Sequence, residues 1–192
     1  MTTGTSMERI IEGARTCFER YGIQKTTIED IAKAAGVSRP TVYKHFPSKH
    51  QIVEQISLAE MAKVHETMRA RMTRQSSFAD TVTEAVLLSV EAGSENPYVS
   101  RFVQDVELSS QAQEPSSLFQ VEARARWMHV LERARASGEL AADIDMDQVV
   151  AWLSLSQMAL LTTRGRLGIG DGDLRHFIRR FVVEPLLHTR IG

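Results

Sequence analysis

Residues 25–49 constrain this chain more than any other stretch. Thr27 with Asp30 three residues on has the spacing of a capping box, and Ile28, Ile31 and Ala32 follow at helical spacing, so a short helix over 27–34 is predicted. Gly36 closes it. Ser38 is a good N-cap and Pro40 falls in the next first turn, where its missing N–H costs nothing. The helix that follows must stop at Pro47. Ala32, Ala35 and Val37 are small enough for close helix approach, and Gly36, lacking Cβ, can take the positive φ of a sharp turn. Two short helices joined this way and followed by a long one form a helix-turn-helix.

The surrounding punctuation is helical throughout. Before this segment, Ile10, Ile11, Ala14, Cys17, Phe18 and Tyr21 mark one apolar face of a helix over 6–21, with Gly22 as its stop. After it, Ser48 with Gln51 opens a long helix to about residue 74. Further segments are predicted over 77–93, 97–113, 116–137, 149–164 and 173–187. The expected fold is all-α, with about nine helices and no strands. An N-terminal three-helix helix-turn-helix domain over 1–50 is expected to precede a helical bundle over 51–192.

Charge separates the same two regions. The whole 192-residue chain carries a net charge of −1, yet residues 1–50 hold eight Lys or Arg against five Asp or Glu. Residues 51–192 hold fifteen against nineteen. From 32 to 51 there are Lys33, Arg39, Lys44, Lys49, His45 and His50 and no acid, a block suited either to a polyanion or to a solvated basic face. Arg39 is the natural base reader, because its guanidinium can pair bidentately with guanine O6 and N7. Pro40 and the Thr41 methyl can meet a thymine methyl, and Ser38 heads the helix that presents them. Lys49, in the first turn of the next helix, adds a full charge where free N–H groups already attract anions. Thr27 can serve as an N-cap, as a phosphate contact, or as both. Lys33 is open between a distal phosphate and solvent.

The motif Tyr21-Gly22, Thr26-Thr27, Asp30-Ile31-Ala32, Ala35-Gly36-Val37-Ser38, Thr41-Val42-Tyr43, His45-Phe46 and Ser48-Lys49 resembles the DNA-binding domain of the TetR family of bacterial transcriptional regulators. The resemblance implies a sequence-specific regulator, more often a repressor, that binds a pseudo-palindromic double-stranded DNA operator as a homodimer. It places Tyr43, His45 and Lys49 on phosphates. Lys44 departs from a position that is often aromatic in the family. The resemblance also implies an effector cavity in the bundle.

Candidates for that cavity are Met61, His65, Met68, Val86, Tyr98, Phe102, Asp105, Trp127, Met128, Trp152, Leu155 and Met158. Their adaptable Met and aromatic side chains suit a small apolar or amphipathic organic effector. The last two helices are apolar on more than one face, so they must be buried on more than one face. A two-fold four-helix interface through Leu153, Leu160, Leu161, Leu174, Phe177, Ile178 and Phe181 is the economical expectation.

Catalysis has no visible carrier. There is no Gly-rich phosphate loop, nucleophile elbow or HExxH spacing, and the six His stand singly. No catalytic residue, metal site or cofactor is expected. Cys17, alone on an apolar helix face, reads as a buried structural thiol in a reducing compartment. The N-terminus has no apolar signal region and no stretch suits a membrane span, so a cytoplasmic address without a membrane partner is the expectation.

Overall fold

The computed structural model describes residues 5–104, 117–141, 143–163, 165–166 and 168–187, and these form two compact units, Met1–Glu60 and Met61–Gly192. Among the described residues there are nine helices and one isolated bridge, between Leu140 and Leu187.

The first unit contains α1 (Ser6–Tyr21), α2 (Ile28–Ala35), α3 (Arg39–His45) and the start of α4 (Lys49–Arg71). Thr5 and Glu8 form a capping box on α1, and Thr27 and Asp30 form the predicted one on α2. These boxes satisfy N–H groups that the helix itself leaves unpaired. Ile10, Ala14, Cys17 and Phe18 of α1 face Ile28, Ile31, Ala32 and Ala35 of α2, and Val42 and Phe46 complete the core from α3 and its end. Gly36 ends α2 at φ +63°, as a tight turn between helices requires. Gly13 answers a different need. A Cβ there would lie 2.8 Å from the Ala35 backbone nitrogen and 3.1 Å from its Cα, so hydrogen at this position is what lets α1 and α2 touch.

The second unit contains the rest of α4, then α5 (Phe78–Glu95), α6 (Pro97–Gln104), α7 (Leu118–Ala136), α8 (Met146–Thr163) and α9 (Asp171–Phe177). Its core joins Val82, Val86 and Val90 of α5 to Trp127 and Leu131 of α7 and to Val149, Leu153 and Leu160 of α8. The last predicted helix is not uniform. After α9 the chain widens into a π-helical turn, Ile178–Val183, and closes with a 3-10 turn, Glu184–Leu186. Pro185 has no N–H for the carbonyl of Phe181 four residues back, so a regular α-helix cannot run through it. The Val182 carbonyl accepts instead from Trp152 Nε1 at 3.0 Å.

Gly13→Ala is expected to destabilise the first unit by about 1–3 kcal/mol through overpacking against backbone that cannot rotate away. Urea denaturation checks this, and wild-type stability in the variant would contradict the close contact.

Candidate functional site

The first candidate surface is α3. Ser38 Oγ accepts from the Thr41 N–H at 3.3 Å and lies 2.8 Å from Thr41 Oγ1, which holds the helix start. Val42 is the only residue of α3 that is buried, so Arg39, Pro40, Tyr43, Lys44 and His45 all point away from the core. The inward and outward sets thus divide as a reading helix needs. α3 carries no acid of its own. Arg39 is nevertheless not idle: its Nη1 lies 2.5 Å from Glu29 Oε1 of α2, and its guanidinium sits 5.5 Å from the centre of the Tyr43 ring. Nη2 reaches the Tyr43 hydroxyl at 3.4 Å, and these partners, Tyr43 first and Glu29 second, hold the guanidinium above its ordinary pKa. Both ion-pair members are solvent-exposed, so DNA can replace Glu29 at small cost.

The second candidate lies wholly within the other unit. A cavity of about 530 Å³ opens between α4, α5, α6, α7 and α8. Met61, Met68, Phe102, Phe119, Trp127 and Met158 supply much of its apolar wall. Its polar groups include His65 and Arg69 on α4, Glu122 and Arg126 on α7, and Ser154 and Gln157 on α8. Burial, reinforced by the charges of Arg126 and Arg69, pushes His65 down to about 4. Burial also lowers the pKa of Arg126. An apolar hollow with a few convergent polar groups is the usual form of a small-molecule site.

The family profile described as bacterial regulatory proteins, tetR family, matches residues 10–56, the span that contains α1, α2 and α3. Residues 10–56 therefore carry the tetR-family domain. The HTH-type transcriptional repressor KstR2 of Rhodococcus jostii is 29% identical over 79% of this chain and 77% of its own length. KstR2 of Mycolicibacterium smegmatis is 27% identical over 76% of this chain and 73% of its own. Among solved structures, the fatty acid degradation regulator FadR from Bacillus halodurans covers 95% of this chain and 97% of its own, with a TM-score of 0.67 at 16% identity. That likeness extends the fold across both units. With that domain at residues 10–56, the chain is a DNA-binding transcriptional regulator.

Within this domain, two of the sequence candidates make contacts to their own unit. The Lys49 Nζ donates to the carbonyls of Ile23, Gln24 and Thr26 at 3.0, 3.2 and 3.0 Å. All three ammonium protons are thereby used, and the residue ties the α1–α2 connection to the start of α4. Thr27 is likewise engaged, exchanging bonds with Asp30, whose carboxyl those bonds hold below its ordinary pKa.

In the bundle, the cavity gathers Met61, His65, Met68, Phe102, Trp127 and Met158 as expected. Val86 lies in the core instead, Met128 packs against that core, and Tyr98 is half-buried at the start of α6 outside the lining. Asp105 lies outside the described residues. Trp152 and Leu155 are absent from the cavity lining and are 40% and 52% exposed, and Phe181, next in sequence to the Val182 that accepts from Trp152, is 57% exposed. Of the residues expected between subunits, Leu153, Leu160, Leu174 and Ile178 are buried inside the unit, and Leu161 lines the cavity. Phe177 and Phe181 stack at 4.9 Å, with Phe181 outward. The polar cavity residues Arg126, Arg69 and Ser154 were not among the sequence candidates, because nothing in their spacing separates them from ordinary helix-surface residues.

His65 makes a pH prediction. With a folded pKa near 4 against an ordinary 6.5, the unfolded chain takes up a proton in that interval that the folded chain refuses. Stability from this residue is therefore complete above about pH 6.5 and lost as pH falls toward 4. Urea midpoints across this range should fall more steeply for wild type than for His65→Gln; parallel curves would contradict the assignment.

Proposed function

We propose that the chain is a repressor acting as a homodimer, in which two α3 helices read a pseudo-palindromic operator and a small organic effector in the bundle cavity releases it. The outward set Arg39, Pro40, Thr41, Tyr43, Lys44 and His45 on one short helix, anchored from behind by Val42, carries the operator half of this reading. Arg39 exchanges Glu29 for a guanine edge, while Tyr43, Lys44 and His45 contact the phosphates that fix register.

The dimer half rests on the exposed strip of Trp152, Leu155 and Phe181. Large apolar side chains gathered on adjoining elements mark an association surface, and an identical strip on a second copy covers it with two-fold symmetry. Two half-sites spaced by that symmetry are read together. An effector acts by binding better to the conformation that cannot dock; inverting occupancy from 99:1 to 1:99 takes about 5.5 kcal/mol of differential affinity. The curated name of KstR2, a transcriptional repressor, supports repression as the direction of control.

Arg39→Ala should relax base preference at one position of each half-site, at a cost of about 1–3 kcal/mol there. Selection of bound fragments from a random duplex pool measures this, and an unaltered consensus would remove Arg39 from base reading. Leu155→Glu should convert a sedimenting dimer to monomer while the helical circular dichroism stays unchanged. A persistent dimer would move the interface elsewhere.

A further inference from the structure

Deepening the reading of the cavity as the effector site, we propose that its occupant is a carboxylate on an apolar body, with Arg126 as the receptor for the anionic end. The wall is mostly Met, Phe and Trp, so the body of the ligand must be apolar. Arg126 lines that wall with its side chain 37% exposed, so its charge borders the apolar hollow and stays open to an anion. Glu122 is the one carboxylate among the described lining residues, and it stands 4.0 Å from Arg126 Nη1 with its own side chain 63% exposed. That is beyond hydrogen-bond reach, so Arg126 keeps donor capacity for a ligand.

The neighbouring groups point the same way. Arg69 lines the cavity too, and its charge and that of Arg126 both act on His65, so the polar end of the hollow is positive. His65 is neutral at physiological pH and adds a hydrogen-bonding ring without a counter-charge. On α8, Ser154 Oγ is buried with no hydrogen-bond partner among the described residues, and Ser154 lines the same cavity. A buried hydroxyl left unmatched is destabilising, and a carbonyl or hydroxyl on the ligand body would satisfy it. A cationic amphiphile would meet two arginines, and a neutral one would desolvate Arg126 further without pairing it. Carboxylates are the class that answers both charge and shape.

The test uses the full-length protein and three twelve-carbon probes that differ only at the head: dodecanoate, dodecanol and dodecyltrimethylammonium. Binding is followed by calorimetry and by fluorescence of Trp127 in the cavity wall. Dodecanoate is expected to bind at least ~10-fold more tightly than either other probe, equivalent to about 1.4 kcal/mol. Arg126→Gln should bring dodecanoate and dodecanol to equal affinity without lowering the melting temperature of the unliganded protein, since it removes a charge that lacks a close partner. A lowered melting temperature with the preference intact would make Arg126 a structural residue and overturn the assignment. Equal binding of all three probes by wild type would leave the cavity an effector site and overturn the anion. Failure of every probe to bind would remove both.

Discussion

The contact between Gly13 and Ala35 is the constraint on which the placement of α3 depends. α3 is seven residues long and buries only Val42, far too little to hold its own conformation. It is placed by α1 and α2, and these can act as a rigid support only because their backbones touch where Gly13 has no side chain. Capping boxes at both helix starts remove the polar cost of ending helices in so small a unit. Lys49 then ties the connection between them to α4 through three carbonyls. A cation that could have been spent on a phosphate is used to stiffen the frame that presents the others.

Positive charge plays opposite parts in the two units. Arg39 is exposed and loosely partnered, which suits a group that must exchange Glu29 for a nucleic acid with little loss. Arg126 lines the cavity with its side chain 37% exposed, and Glu122 stands off at 4.0 Å. In the proposed reading, the same guanidinium group serves as a reversible reader in one unit and as an anion receptor in the other.

α8 shows how much of the bundle was legible and where legibility ended. Its near-continuous apolar run signals burial on several sides, and that reading holds. At 100° per residue, Val149, Leu153, Ser156 and Leu160 fall on one face, Ser154, Gln157, Met158 and Leu161 on a second, and Trp152 and Leu155 on a third. These faces meet core, cavity and solvent respectively. Sequence periodicity can count such faces but cannot say which neighbour each one meets, so Trp152 and Leu155 were expected in the cavity and Leu153 and Leu160 between subunits. Once α5 and α7 are packed against the first face, the other two assignments follow.

Local chemistry was enough to establish the helix-turn-helix, because caps, a left-handed glycine and a proline stop act within a few residues of where they are written. It also sufficed for the outward residues of α3 and for the all-helical character of the bundle. Lys49 reaching back over twenty residues to three carbonyls, Glu29 holding Arg39, and the charge of Arg126 acting on His65 came only with folding. Each joins groups on different elements of the fold, and the distance and solvent between such groups are set by packing rather than by spacing along the chain.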